Sequence, residues 1–299
     1  ALPEGARAEE GQPRSGVMPR AVLFDLDDTL IDHRHAAHAA LLGVRARFAA
    51  FAGVPLADLV AEHHRILELL HRDVALGVLD VTHARRERYR RLLAFVHGDE
   101  QHAGAAAELH RREYQAHRRR VDGALEVLDL IARERPVAVV TNNTVAEQTE
   151  KLATFGLAPF VTALVTSEDV GASKPDGRIF AAALERVGCV AGDAVMVGDS
   201  WSHDIEGARA AGIAAVWLDR DGGPAERDGV PVLTSFVPAP QAVAQILAAN
   251  VQGLSAREHA QRAEAAASAR SRAIELLLHG DDGVFSTGRR GSRLARRGC

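Results

Sequence analysis

The sequence predicts an α/β fold, in which a doubly wound parallel sheet carries an inserted all-helical cap domain. Two observations lead to this prediction. Short apolar runs alternate with helical stretches through the second half of the 299-residue chain, which is the pattern of a parallel sheet covered by helices. Between residues 33 and 120 the apolar spacing is helical throughout, so a helical module follows the first strand.

Five short apolar runs are expected to form the strands of the sheet. The first is Ala21–Phe24, a continuous apolar run that switches at once to polar residues, as in a strand buried on both faces. The other four runs begin at Val137, Ala163, Ala194 and Ala214. Helices are predicted across 145–155, 177–187 and 203–211. Right-handed crossovers would align the carboxyl ends of the strands along one edge, where ligands usually bind.

These patterns divide the chain into parts. Residues 1–17 are rich in Gly, Pro, Glu and Arg and are expected to be a disordered leader. Residues 18–32 and 121–249 are expected to form the α/β core, and residues 33–120 the helical cap. Residues 250–299 are expected to contain a C-terminal helix and a disordered basic tail.

Composition limits the possible functions. A net charge of -4 and an aromatic content of 4% give no reason to expect nucleic acid as the partner. No apolar run reaches the roughly 18 residues of a membrane span. Cys189 and Cys299 form neither a disulfide framework nor a metal pair. Because no hydrophobic leader is present, a cytoplasmic enzyme is expected, and the sequence leaves its oligomeric state open.

Carboxylates follow the first and fourth predicted strands. Asp25 and Asp27 lie one residue apart at the end of the first strand, where one carboxylate can attack and the other can transfer a proton. Asp199 and Asp204 follow the fourth strand and offer the hard oxygen ligands that Mg²⁺ prefers. Taken singly, each group is also explained as an Asp-rich turn or a helix cap.

A hydroxyl, an amide and a lysine follow the intervening strands. Thr141 and Asn142 can hold phosphoryl oxygens, and a polar turn or helix N-cap is the alternative explanation. Lys174 could neutralise an anionic nucleophile and a transferring phosphoryl group. Lys151 and Lys174 are the two lysines among 36 basic residues, so each should supply a property that arginine lacks. Lys151 is expected on a helix away from the strand ends, where replacement by arginine would be nearly neutral.

The segments FDLDDTLID, VVTNN, GASKP and GDSWSHD resemble the four motifs of the haloacid dehalogenase-like hydrolase superfamily, over residues 21 to about 236. The helical insertion resembles the α-helical cap of that superfamily. The resemblance implies that Asp25 is the nucleophile that becomes aspartyl phosphate. It implies that Asp27 protonates the leaving oxygen and later activates water, and that Lys174 steadies Asp25.

The same resemblance implies the ligands of the phosphoryl group and the cofactor. Thr141 would bind the phosphoryl group with Asn142 beside it. Mg²⁺ would be held by the Asp25 side chain, the backbone carbonyl of Asp27, and Asp199, with Asp204 bound directly or behind these ligands. Asp28 stands where many members have glycine, and no chemistry is assigned to it.

Asp27 separates the classes within the superfamily. The dehalogenases lack this second aspartate, because cleavage of a carbon–halogen bond needs no protonated leaving oxygen. The favoured function is therefore Mg²⁺-dependent hydrolysis of a small phosphorylated metabolite. The motifs most resemble the pyrimidine 5'-nucleotidase-like branch, so a nucleoside monophosphate is the first substrate expected. The alternatives are a sugar-phosphate phosphatase or phosphoglucomutase-like enzyme and a non-catalytic binding protein on the same fold.

The cap is rich in histidine and arginine. Residues 33–120 contain eleven of the fourteen histidines, and fifteen arginines against ten acidic residues. A positive lid over an acidic site would attract phosphorylated anions, and a generic charged surface is the alternative. The histidines are expected on solvated helix faces, because none has acidic or cysteine partners in a recognised metal pattern.

Overall fold

The computed structural model describes residues 18–75, 78–223 and 225–249. The leader predicted at 1–17 and the helix and tail predicted at 250–299 lie outside these described residues. Seven strands form one sheet in the order β3-β2-β1-β4-β5-β7-β6. They are β1 (Ala21–Phe24), β2 (Val137–Thr141), β3 (Ala163–Thr166), β4 (Ala194–Gly198), β5 (Ala214–Leu218), β6 (Glu226–Arg227) and β7 (Val230–Leu233). Every pairing is parallel except that of β6 with β7, which confirms the predicted α/β class.

Ten α-helices surround or extend this sheet in the described part of the chain. Four lie between β1 and β2 and form the cap: α1 (His33–Arg47), α2 (Leu56–Ala75), α3 (Val81–Phe95) and α4 (Ala103–Ala116). Six belong to the α/β part: α5 (Ala124–Ala132), α6 (Val145–Thr154), α7 (Ser167–Val170), α8 (Gly177–Val187), α9 (Glu206–Ala210) and α10 (Ala239–Ala248). No helix in the described segments has both the length and the apolar content needed to cross a membrane.

The strand β1 sends its side chains alternately to two separate apolar cores. Val22 and Phe24 pack on one face of the sheet with Ile246 from α10. Leu23 packs on the opposite face with Phe180 from α8. Successive side chains of a strand point to opposite faces, and burial of each such side chain stabilises the fold by about 1.5–3 kcal/mol. The continuous apolar run seen in the sequence therefore serves two cores at once.

The cap helices enclose a third apolar core, and two histidines lie inside it. His63 and His110 are 5% and 6% exposed, and their ring centroids are 5.1 Å apart. His63 lies in the stripe of α2 that also carries the buried Leu59 and Ile66, at the spacing of one helix face. The prediction that the cap histidines occupy solvated faces is therefore wrong for these two.

Several elements differ from the prediction. The helix predicted at 203–211 begins instead with a single π-helical turn, Trp201–Ile205, which leads into α9. The sequence patterns did not predict α5, β6 or β7. The strand β7 contains Pro231, a residue that weakens a strand signal because it lacks a backbone donor.

Candidate active site

The strand order reverses at β1. The chain runs from β1 to β2 and β3 on one side, and then returns to the other side of β1 to form β4. The loops that follow neighbouring strands diverge at such a switch point and leave a crevice for ligands. Asp25 follows β1 and Asp199 follows β4, so the fold brings these two predicted residues to the same crevice.

Lys174 lies at the centre of the crevice. Its Nζ is 2.6 Å from Asp25 Oδ1 and 2.7 Å from Asp204 Oδ1, and it donates to the backbone oxygen of Val140 at 2.7 Å. Asp25 and Val140 accept hydrogen bonds from the ammonium, and Asp204 is its second ion-pair partner. Burial lowers the pKa of Lys174, but the carboxylates of Asp204 and Asp25 outweigh it and raise the pKa. The ammonium is therefore charged at neutral pH.

Three carboxylates crowd the same place. One oxygen from each of Asp25, Asp199 and Asp204 lies within 4.8 Å of the other two. Burial raises the pKa of Asp25 well above its ordinary value, with Lys174 partly opposing it. Burial, Asp204 and Asp28 raise the pKa of Asp199 to about 7. A divalent cation would relieve this repulsion, and the donors are hard oxygens, so the set fits Mg²⁺.

Hydrogen bonds to neighbouring residues hold Asp199 and Asp204 in place. Asp199 N donates to Thr29 Oγ1 at 3.1 Å, which joins the loop after β4 to the loop after β1. Ser200 N donates to Asp204 Oδ2 at 3.0 Å. A Cβ at Gly198 would lie 2.3 Å from that same Asp204 oxygen, so glycine is needed here for the close approach of the carboxylate.

The two residues predicted to bind phosphate make protein contacts. Asn142 Nδ2 donates to the backbone oxygen of Lys174 at 3.0 Å, and Lys174 N donates to Asn142 Oδ1 at 2.7 Å. Gln148 Nε2 donates to Thr141 Oγ1 at 2.7 Å. Asn142 thus clamps the backbone of the lysine loop to the end of β2. Phosphate binding by Thr141 and Asn142 stays a prediction.

The structure contradicts the expectation for Lys151. Its Nζ lies 2.8 Å and 2.9 Å from the two carboxylate oxygens of Asp27, and the residue is 1% exposed. Gln148 Nε2 donates to Asp27 Oδ2 at 3.1 Å. The helix α6 begins just after β2, so its face at positions 144, 148 and 151 turns toward the strand ends. The spacing of these positions and the rarity of lysine are the two sequence features from which the contact of Lys151 with Asp27 could have been predicted.

Lys151 also sets the charge of Asp27. Burial alone would raise the pKa of Asp27, but the Lys151 ammonium, His33 and Gln148 together outweigh it and lower the pKa to about 2. Lys151 Nζ is also 3.3 Å from Glu147 Oε1. Asp25 and Asp27 therefore each have a buried lysine as an ion-pair partner.

Asp28 occupies a backbone position that favours glycine. Its φ is 68°, in the left-handed region where Asp is one of the better-tolerated residues after glycine. Its Oδ1 accepts hydrogen bonds from Arg34 N at 2.7 Å and Arg220 Nη2 at 3.1 Å. The side chain thus joins the start of the cap to the loop that follows β5.

A cavity of about 950 Å³ opens between the cap helices and the strand ends. Asp27, Asn142 and Ser173 line it at the core side, and His63, Arg88 and other residues of α2 to α4 line it at the cap side. Its size is that of a pocket for a small molecule. Asp27 is thus accessible from the cavity, whereas Asp25 is 7% exposed.

A doubly wound sheet with a carboxylate cluster and a buried lysine at its switch point, beneath a helical cap, is the architecture of a capped Rossmann-like enzyme. The chain belongs to the haloacid dehalogenase-like hydrolase family, whose model matches residues 19–212. The resemblance predicted from the four motifs is thereby confirmed.

Two relatives and one solved structure illustrate the similarity. The chain is 31% identical over 220 residues to glyceraldehyde 3-phosphate phosphatase of Methanothermobacter thermautotrophicus, which covers 71% of this chain and 91% of the relative. It is 30% identical over 207 residues to pyrimidine 5'-nucleotidase PynA of Streptococcus pneumoniae, which covers 66% and 83%. The magnesium-bound hydrolase YfnB from Bacillus subtilis aligns at a TM-score of 0.61 and 26% identity, over 76% of this chain and 99% of that one. The relatives agree with the predicted enzyme class, a phosphatase.

Proposed function

We propose that this protein is an Mg²⁺-dependent phosphomonoester hydrolase that acts through an aspartyl phosphate on Asp25. The observation that carries the proposal is the position of Lys174 Nζ, 2.6 Å from Asp25 and 2.7 Å from Asp204. A nucleophilic carboxylate needs its charge balanced when an anionic phosphate approaches, and a buried ammonium supplies that balance without water.

In the first step an oxygen of Asp25 attacks phosphorus, and the bond from phosphorus to the leaving oxygen breaks. Asp27, which lines the cavity, gives its proton to that oxygen. This step begins from protonated Asp27. The negative charge of a bound phosphate raises the pKa of Asp27 and so favours its protonated form. In the second step water attacks the phosphoryl group and Asp27 takes a proton from it, which regenerates Asp25 and releases inorganic phosphate.

Asp25, Asp199 and Asp204 would hold Mg²⁺, with the backbone carbonyl of Asp27. The ion would neutralise phosphoryl oxygens and keep the clustered carboxylates ionised. Lys174 would contact the phosphoryl group as well as Asp25. Thr141 and Asn142 would complete the phosphate site through the hydroxyl and amide groups at the end of β2.

The substrate would be a small phosphorylated metabolite, because the cavity at Asp27 holds about 950 Å³. The named relatives are a triose phosphate phosphatase and a nucleotidase. A nucleoside monophosphate is one candidate of suitable size, and the motif resemblance supports it.

The test is phosphate release from a generic aryl phosphate, with Asp25→Asn as the variant. The amide is nearly isosteric but a poor nucleophile, so turnover should fall roughly 10³-fold or more, with an unchanged melting temperature. Acid-quenched wild-type enzyme should carry a phosphoryl group on the peptide that contains Asp25. Activity of Asp25→Asn within a few-fold of wild type would overturn the mechanism. Full activity after chelation, or equal turnover with Ca²⁺, would overturn the metal assignment.

A further inference from the structure

The cavity beneath the cap has two chemically different ends. Asp27 lines the end at the strand edge, and under the proposed function it protonates the leaving oxygen. The cap side of the cavity is lined by residues that include the apolar Leu67 and Leu70 and the charged Arg88. The part of the substrate that leaves as an alcohol would therefore extend toward Arg88.

Four arginines line this cavity, and three of them are paired with carboxylates of the protein. The pairs are Arg85 with Glu147, Arg111 with Glu108 and Arg178 with Asp176, at N···O distances of 3.3, 2.7 and 2.8 Å. Among the side chains that the structure describes, which do not include those of residues 71–73 and 75–77, Arg88 in the middle of α3 has no ion-pair partner. Its Nε is enclosed by protein and has no hydrogen-bond partner.

The carboxylates along the cavity are already engaged elsewhere. Asp27 binds Lys151, and Glu147 contacts Arg85 and Lys151. Asp80 accepts hydrogen bonds at the start of α3, and Glu168 accepts one from the backbone at the start of α6. A largely buried guanidinium without a counter-charge is costly. A bound anion would remove that cost by accepting hydrogen bonds from the Nη groups of the guanidinium.

Two neutral imidazoles lie beside Arg88. His63 and His110 line the same end of the cavity, and their buried Nε2 atoms lack hydrogen-bond partners. Burial, reinforced by Arg88, lowers the pKa of His63 well below its ordinary value and that of His110 to about 3. Both rings are therefore neutral at pH 7, and Arg88 is the unpaired positive charge of this wall within the described residues.

We propose that Arg88 is the centre of a cap-side subsite for a second anionic group of the substrate, a carboxylate or a second phosphate. The proposal rests on the proposed function and narrows it. The phosphoryl group that is hydrolysed lies at Asp25, and the second anion is bound across the cavity by the Arg88 fork, which suits carboxylate and phosphate oxygens alike. Phosphorylated acids and bisphosphates are then preferred over phosphate esters with an uncharged alcohol part.

Matched substrates test the preference. 3-Phosphoglycerate and glycerol 3-phosphate differ in having a carboxylate or a hydroxymethyl group, and fructose 1,6-bisphosphate and fructose 6-phosphate differ in the second phosphate. Wild-type kcat/KM should be about 10-fold or more higher for the doubly anionic member of at least one pair. The pair that shows the difference identifies the second anion as a carboxylate or a phosphate. Uridine monophosphate serves as a substrate whose nucleoside is uncharged.

Arg88→Gln should lower the preference for the doubly anionic substrate to within about 2-fold, chiefly through KM, and keep the rate on the singly anionic one. Arg88→Lys should retain part of the preference. Arg111→Gln is the matched control, because Arg111 lines the same cavity but is paired with Glu108, and it should retain the full preference. Thermal melts identify variants that fail to fold. If Arg88→Gln does not fold, the substrate preference of Arg88→Lys, which should be lower than that of the wild type, decides the outcome.

Equal kcat/KM within both pairs for the wild type would overturn the subsite, and so would an unchanged preference in Arg88→Gln. Either result leaves phosphate release and its dependence on Asp25 intact. Failure of the proposed function has a different signature, because no phosphate ester of either kind would then be hydrolysed through Asp25.

Discussion

Lys151 Nζ contacts both carboxylate oxygens of Asp27, at 2.8 Å and 2.9 Å, from a side chain that is 1% exposed. The other lysine of the chain, Lys174, contacts Asp25 at 2.6 Å. Asp25 and Asp27 are therefore each paired with one of the two lysines. The ammonium ions balance two carboxylates that the fold places close together at the end of β1.

Lys151→Met should lower kcat on a phosphomonoester by roughly 10²-fold, comparable with loss of one electrostatic contact in an active site. The residue is a positioning group that fixes the side chain of Asp27, so KM should change by less than about 3-fold. Lys151→Arg should also lose activity, because a buried site that fits an ammonium does not fit a planar guanidinium. Steady-state kinetics and thermal melts measure both effects. Wild-type kcat in folded Lys151→Met would contradict the positioning role.

Lys174→Arg should lose roughly 10²-fold in turnover although it keeps the charge. The three acceptors around Lys174 Nζ lie at 2.6 to 2.7 Å and leave no room for the larger fork of arginine. The rate of phosphate release checks this prediction. A matched control is Arg111→Lys, at an exposed position of the cap, where exchange of the two basic residues should be nearly neutral. Equal turnover of Lys174→Arg and Arg111→Lys would show that an ammonium is not specifically needed at position 174.

Gly198→Ala should destabilise the protein by about 1–3 kcal/mol, as overpacking of a tight site does. The added Cβ would lie 2.3 Å from Asp204 Oδ2, so Asp204 must move away from Lys174. The rise in melting temperature on addition of Mg²⁺ should shrink as well. Gly192→Ala is the control, because a Cβ there meets nothing within 4 Å. Similar melting temperatures and Mg²⁺ responses for the two variants would contradict the packing argument.

Folding stability should fall as the pH falls below about 6.5, because His110 is buried in its neutral form. Burial lowers the pKa of His110 to about 3, whereas the pKa of a histidine in the unfolded chain is about 6.5. Between these values the unfolded state binds more protons, so the contribution of His110 is complete above about pH 6.5 and is lost progressively toward about pH 3. The slope is about 1.4 kcal/mol per pH unit.

Urea unfolding at pH 7 and pH 5.5 measures this effect. His110→Gln removes the titrating ring, so its stability should depend less steeply on pH than that of the wild type. His63 lies against His110, with ring centroids 5.1 Å apart, and its pKa is also lowered by burial, so a residual slope should persist. An identical pH dependence in His110→Gln and the wild type would show that His110 does not contribute.

The strand ends were predictable because they combine two independent signals. The run Ala21–Phe24 predicts a buried strand, and Asp25 and Asp27 follow it directly. Because the strands are parallel, the polar residues that follow the other strands lie at the same edge of the sheet as these aspartates. Lys174 and Asp204 do so.

Contacts made by helix faces were harder to predict. Lys151 lies on α6, and its direction depends on how that helix packs, which a local pattern does not fix. His63 and His110 resemble surface residues by type, and their burial follows from packing of α2, α3 and α4 around one core. Arg88 likewise became distinct from the other arginines that line the cavity only through its missing partner among the side chains that the structure describes.

The alternation of side chains along β1 has a consequence for how this chain can change length. Val22 and Phe24 serve one core and Leu23 the other, and Asp25 continues directly from this strand. Deletion or insertion of a single residue between Ala21 and Phe24 would reverse the facing of part of the strand. Substitutions of similar size can be absorbed there. A shift of one residue would exchange the side chains that face the two cores and would also change the direction of Asp25.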